Sequence, residues 1–331
     1  MDWFTQLFGF PETDYEGTQR AFRVEGTRLR SLANQRTFEI GAFSAPSLGE
    51  LRACTAEDWG TRSTLTHEVI GDSLEVQGQS WVAGDLFQVA SQFNALEFSA
   101  PDITPEQGIT RYGDDPTQGP ACALAAAPAT LYRNYFLPLG DSVGQRASRQ
   151  LNLLAGLAAA LPGGPYWTVK NGYTHSTVSQ LEALHRLWPT LDQEALRDTL
   201  RIGLQTSIEV VFATRFTELT QCHTISQAFC AAISCGYTHL PNKLWEPLAR
   251  LILEAAYEGT LRAAARDRQV GQGSGRAWLT LVGAGVFANE RQWIFDALAR
   301  AIDQTAHLGL DIRLCHHQRL QTDFLPLRTV A

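Results

Sequence analysis

The chain has 331 residues, 44% of them hydrophobic and 18% charged, which is enough apolar content to bury a large core without disulfide staples. Its formal net charge of −7 argues against broad binding along a nucleic-acid backbone, yet one local anion site could still be built from backbone amides and a helix end. Six cysteines (Cys54, Cys122, Cys222, Cys230, Cys235, Cys315) form no CxxC pair, and the amino terminus lacks a basic segment followed by an apolar run, so a reducing, cytoplasmic setting is expected. The most apolar stretches, Leu151–Pro162 and Leu248–Tyr257, are too short or too interrupted to span a bilayer, and no membrane role is expected.

In chain order, Thr37–Phe43, Ser63–Ile70 and Ser73–Val82 read as short strands, the last two joined by a Gly71-Asp72 hairpin signal. Between the first two, Ser47 and Glu50 have the spacing of a capping box and predict a helix start. Leu86–Phe93 reads as a buried strand, Glu97–Gly119 as a long polar loop, and Pro120–Ala129 as an alanine-rich helix. Helical patterning returns at Ser148–Leu161 and near Val178–Trp188, with strand candidates at Trp167–Lys170 and Ile208–Phe212 and a buried run at Ile225–Ile233. Leu244–Ala265 carries apolar residues at helical spacing and predicts a long amphipathic helix. A compact unit closes the chain: strand Ala277–Val282, glycine loop Gly283–Asn289, helix Glu290–Ile302 and strand Leu310–Cys315. Strands alternating with helices predict an α/β fold with a central sheet covered on both faces.

The loop Gly283-Ala284-Gly285-Val286-Phe287-Ala288 leaves a strand and enters a helix, so its amides and the positive helix end could hold a diphosphate without basic side chains. Taken alone, GxGxxA is a weak signal, equally compatible with glycines that let a helix pack close to a strand. A dinucleotide-binding reading is disfavoured because the following strand ends in Cys315-His316-His317 rather than in a ribose-binding acid. No Lys-Ser or Lys-Thr follows, which excludes a P-loop.

The run Leu279–Asn289 resembles the phosphate-binding loop of macrodomains, including those related to poly(ADP-ribose) glycohydrolase, where Gly-x-Gly-Val-Phe-Gly follows the strand. Here Ala288 stands at the last glycine. Upstream, Gly84-Asp85-Leu86-Phe87 and Ala90-Ser91-Gln92-Phe93-Asn94 resemble the early macrodomain strand that ends in an asparagine beside the distal ribose, with an aspartate before it that meets the adenine. Ile225–Ser234 and the helix Trp245–Ala265 resemble elements of the larger, glycohydrolase-like members. The resemblance implies a three-layer macrodomain, with a central mixed sheet between helices, over residues 76–331, and an N-terminal α+β extension over 1–75. It also implies ADP-ribose binding by Asp85, Gln92, Asn94, Thr117, Gln118, Gly119, Gly283, Ala284, Gly285, Val286, Phe287 and Asn289. The bland alternatives are a turn role for Asp85, a strand-ending role for Asn94 and a satisfied core amide at Gln92.

In glycohydrolase-like macrodomains the loop after the asparagine strand wraps the distal ribose and supplies a catalytic carboxylate. The corresponding segment here holds Glu97, Asp102, Glu106, Asp114 and Asp115, but lacks the triple-glycine and Gln-Glu-Glu signature. Tyr112–Pro120 and Thr130–Phe136 instead resemble a divergent group that includes bacterial effectors removing ADP-ribose from modified ubiquitin. Cleavage at ribose C1″ passes through an oxocarbenium-like transition state and needs a carboxylate to activate water or protonate the leaving group. Asp115, just before the helix start, is the first candidate, with Asp102 and Glu97 in reserve, although acids at such positions also cap helices.

The implied activity is an ADP-ribosylhydrolase acting on a modified protein side chain, with arginine of ubiquitin as the family analogy. The alternative is a non-catalytic ADP-ribose reader. No cofactor is expected, and no nucleic-acid partner. Cys315-His316-His317 is not expected to bind metal, since neighbours on a strand point to opposite faces. Asn171-Gly172-Tyr173-Thr174-His175 is first a turn signal, with an aromatic lid as its functional reading, and Cys222-His223 has no acid placed to orient the histidine.

Overall fold

A computed structural model describes residues 2–55 and 59–328. Its centre is a seven-stranded mixed sheet. In chain order the strands are β1 (Ala42–Ser44), β2 (Thr64–Ile70), β3 (Leu86–Ala90), β4 (Gly203–Thr214), β5 (Thr217–Cys230), β6 (Arg276–Leu279) and β7 (Asp311–His317), lying side by side as β1-β4-β5-β3-β6-β7-β2. From β5 to β2 every pairing is parallel, whereas β4 runs antiparallel to both β5 and β1. Both edge strands come from the first 75 residues, which share the sheet with the rest of the chain.

Alternation along the strands sends side chains into two cores. On β6, Ala277 and Leu279 join one cluster, while Trp278 between them joins the other and stacks on Phe87 of β3 with the rings 5.4 Å apart. The first core is covered by helices α1 (Leu48–Cys54), α2 (Val178–Leu187), α3 (Asn242–Gln269) and α4 (Arg291–Gln304). The opposite face carries the paired helices Gln118–Ala125 and Ala127–Tyr135 and the aromatic N-terminal segment around Trp3, Phe4 and Phe8. Helices thus cover both faces of a mixed sheet, the three-layer α/β architecture expected from the resemblance.

Local signals hold where one side chain decides the geometry. Ser47 accepts from the Glu50 amide and Glu50 from the Ser47 amide, which is the capping box that starts α1. The Gly71-Asp72 hairpin is corrected: Asp72 caps a helix, Ser73–Gln77, by accepting from the Leu74 amide, so only Thr64–Ile70 is a strand. An Asp before a short apolar run satisfies a helix terminus as readily as it makes a turn. Thr37–Phe43 divides at Gly41 into Thr37–Glu39, in a small N-terminal sheet, and β1. Of Ser148–Leu161 only Ala155–Ala160 is helical. The helix expected at Leu244–Ala265 runs from 242 to 269; Glu246, Pro247, Arg250 and Glu254 keep a partly exposed stripe along its first half, whereas from Ala255 to Ala265 every residue is buried. Its buried Glu258 is tied to Arg52 and Arg262 at 2.7 and 2.8 Å, which is how charged residues are tolerated there.

Candidate active site

β3 and β6 pair only through Leu86–Ala277 and Phe87–Trp278, and then part. Beyond that point the Gln88 carbonyl and the Ala90 amide would lack a strand partner. Gln118, the first residue of the helix Gln118–Ala125, supplies both partners: its Nε2 donates to the Gln88 carbonyl (2.9 Å) and its Oε1 accepts from the Ala90 amide (2.8 Å). A cleft of ≈ 380 Å³ opens at this end of the split, beyond the carboxyl ends of the parallel strands, where open α/β sheets characteristically bind ligands.

One wall is the glycine loop. Gly283, Gly285, Val286 and Phe287 line the cleft. The loop holds its own shape: the Ala288 amide donates to the Gly285 carbonyl and the Asn289 amide to the Gly283 carbonyl, both at 2.9 Å. Gly283 has φ +85°, and a Cβ there would sit 2.8 Å from the Ala232 Cβ, so glycine is required for two reasons. The Asn289 side chain is buried and donates to the Ile233 carbonyl at 2.7 Å. Among the described residues, the amides of Gly283, Gly285, Val286 and Phe287 donate to no protein acceptor. They stand just before the amino end of α4, and no Lys or Arg lines the cleft. Unspent amides at a helix amino terminus bind anions without basic side chains.

The opposite wall is the acid-bearing loop. Asp115, Thr117, Gln118, Gly119 and Pro120 reach the cleft. Asp115 is half-buried; its Oδ1 accepts from the Thr117 amide (2.9 Å) and hydroxyl (2.6 Å), while its Oδ2 has no hydrogen bond among the described residues. Glu97 also lines the cleft but is almost wholly buried, in an ion pair with the fully buried Arg133 at 3.2 Å. Burial raises its carboxyl pKa to about 7, against the opposing pull of Arg133. Arg133 is held in turn by the Ala95 carbonyl, Gln205, Thr130 and the face of Phe229.

The remaining expected residues are distributed as follows. Gln92 lines the cleft, yet its side chain both donates to the Phe98 carbonyl and accepts from the Phe98 amide, closing the turn after β3. Asn94 is fully buried and outside the lining, accepting from the Leu96 amide and donating to Gln150. Asp85 stands at the amino end of β3, one strand length from the cleft, where it binds Ser274, Arg276 and Trp278. Asp102 is exposed, and neither it nor Ala284 lines the cleft.

Three aromatic residues line the cleft together, and of these sequence reasoning missed Tyr237: Phe287 lies in the glycine loop, and Tyr173 in the turn segment whose functional reading is an aromatic lid. Tyr173, Tyr237 and Phe287 pack with ring separations of 5.0, 5.6 and 5.7 Å, and all three line the cleft. The tyrosine hydroxyls donate across it to the Phe98 and Ser99 carbonyls at 2.7 and 3.2 Å. Tyr237 lies in a 3-10 turn that carries no periodicity. Ala90, Ser91, Phe98, Ser99, Ala232 and Thr280–Val282 complete the lining; of these, Phe98 and Ser99 lie outside the motifs read from the sequence. No group of three or more His, Cys, Asp or Glu residues among the described ones is placed to hold a metal ion.

An α/β fold with a glycine loop and a carboxylate wall facing one cleft is therefore the class that the sheet and the site define. The solved structures it resembles include bacterial poly(ADP-ribose) glycohydrolases. The Deinococcus radiodurans enzyme in complex with ADP-ribose shares 10% identity at TM-score 0.47, with 96% of each chain covered. A threonine-to-lysine mutant of that enzyme, also with ADP-ribose, gives 11% and 0.46, again covering 96% of each chain. The Thermomonospora curvata enzyme gives 13% and 0.40, covering 91% of this chain and 89% of that one. No family model and no curated protein matches the chain.

Proposed function

We propose that this protein is an ADP-ribosylhydrolase that binds the diphosphate of ADP-ribose on the Gly283–Phe287 amides and releases the sugar from a modified protein side chain. The observation that carries the reading is the set of four amides without protein acceptors, in residues that line a cleft whose other wall presents Asp115 with one unbonded carboxylate oxygen. An acidic chain needs an anion site of this kind, since basic side chains are absent from the lining. The aromatic group of Tyr173, Tyr237 and Phe287 suits a sugar or base face.

In this reading the bond between ribose C1″ and the acceptor atom breaks, water supplies the hydroxyl to C1″, and its proton passes to Asp115. Asp115 then gives that proton to the departing acceptor atom, so water's two fragments end on C1″ and on the acceptor and the carboxylate is restored. For an arginine acceptor, the linkage we would test first and on ubiquitin, the leaving atom is a guanidinium nitrogen. Glu97 is the second carboxyl group facing the cleft; Asp102, exposed and outside the lining, takes no part. All six cysteines are free, which suits action in a reducing cytoplasm.

One observation favours the reader alternative: the Oδ1 of Asp115 is occupied in capping Thr117, which leaves a single oxygen for chemistry. Calorimetry with ADP-ribose and with NAD, followed by release assays on arginine-, glutamate- and serine-linked ADP-ribosyl proteins, separates the readings. Binding of ADP-ribose with release from one linkage is the expected result. Binding with no release from any linkage leaves the reader; absence of ADP-ribose binding overturns both.

A further inference from the structure

The acid-bearing loop does not hold itself in place. Between Ser99 and Thr117 it contains only the 3-10 turns Pro105–Gln107 and Thr110–Asp114, and neither has a side-chain cap of its own. The second turn leads directly into Asp115. Its amino end is satisfied from 98 residues away: Glu12 accepts from the Ile109 amide (2.9 Å), the Thr110 amide (2.7 Å) and the Thr110 hydroxyl (2.7 Å). A fourth donor, the Tyr135 hydroxyl (2.7 Å), fixes the same carboxylate against the helix that carries Arg133.

Other N-terminal contacts converge on this turn. The indole of Trp3 donates to the Thr110 carbonyl at 2.7 Å. A Cβ on Gly113 would lie 2.8 Å from the Trp3 ring, so the turn is moulded onto that side chain. From the turn the constraint reaches both acids. The Asp115 amide donates to the Tyr112 carbonyl, and the buried Tyr112 hydroxyl accepts from the Glu97 amide at 3.0 Å.

We infer that Glu12 is a positioning residue for the proposed reaction: its carboxylate caps the Thr110–Asp114 turn in place of a local residue and so sets where Asp115 and Glu97 face the cleft. This rests on the hydrolase reading above. Four donors meet one carboxylate, so glutamine, which would present its own N–H groups to them, cannot replace it fully. None of these contacts touches the glycine loop, so ligand binding and turnover should respond separately.

The test uses the full chain with Glu12→Ala, Glu12→Gln and, in case both fold poorly, Trp3→Phe, which removes one hydrogen bond and keeps an aromatic ring. Each is assayed for ADP-ribose affinity by calorimetry, for kcat and KM of release, and for amide hydrogen exchange. For Glu12→Ala, kcat should fall on the order of 10- to 100-fold, the scale of an ångström-level misplacement of a reacting group. ADP-ribose affinity should stay within about threefold, since its anchoring amides are untouched. Exchange should rise at 102–117 and not at 279–289, with Glu12→Gln intermediate and Trp3→Phe weakest. Unchanged kcat, or affinity and kcat falling together with exchange rising throughout, overturns the positioning role alone. Absence of release by the unmodified protein overturns it together with the hydrolase reading.

Discussion

The two walls of the cleft are built on opposite plans. The glycine loop is made by the chain that passes through it: its turns close within Gly283–Asn289, and its polar groups left without protein partners are backbone amides. The acid-bearing loop is assembled from Glu12, Trp3, Tyr112, Thr130 and Arg133, residues drawn from three separate stretches of sequence. A binding surface of the first kind survives as a short motif, whereas one of the second kind exists only once the fold has formed.

That contrast can be broken most sharply at Asp115. Asp115→Asn keeps the cap on Thr117 but removes the base, so release of ADP-ribose should slow by about 100-fold or more while affinity changes little; equal kcat in the variant would remove Asp115 from the chemistry. The converse experiment is Gly283→Ala. Its left-handed backbone and the 2.8 Å approach to Ala232 should distort the amide cradle and weaken ADP-ribose binding by about tenfold or more, a loss of roughly 1.4 kcal/mol. Calorimetry showing unchanged affinity would mean that the loop is not the anchor.

Glu97 offers a pH-dependent test of the assembled wall. Its carboxyl is raised in the folded state from 4.5 to about 7, so the folded protein binds this proton more tightly than the unfolded chain does. Stability from this group is therefore present below pH 4.5 and lost as pH climbs through about 7. The wild-type minus Glu97→Gln difference in denaturation free energy should decline across that window; a flat difference would mean that Arg133 keeps Glu97 ionised throughout. The smallest effect is expected at Ala288, whose φ is +54°. Ala288→Gly relieves a left-handed alanine but adds chain entropy, and stability should shift by less than about 1 kcal/mol in thermal unfolding.

The same division explains what could be read in advance. Strand–glycine–helix order at 276–304 and the Ser47–Glu50 cap are local, and the sequence predicts both. Asp72 misleads because an aspartate after glycine serves a hairpin or a helix cap equally well, and the choice lies in what the following residues pack against. Asp85 resembles a ligand residue by its order before Leu86, but order does not say which end of a strand carries the site. Glu12 and Tyr237 sit in segments with no motif, and only contacts spanning scores of residues give them meaning.

The Gln118 side chain, bridging Gln88 and Ala90, bears on how fast the cleft can be entered. Parted strands would ordinarily expose raw hydrogen-bonding edge and tend to zip shut, so a ligand would have to pry them open. With that edge already satisfied by an amide side chain, nothing on it draws the slot shut, and for the proposed ligand we expect no opening step before association. Capture of ligand should then show a single observed rate that rises linearly with concentration, without the plateau that a prior conformational opening imposes.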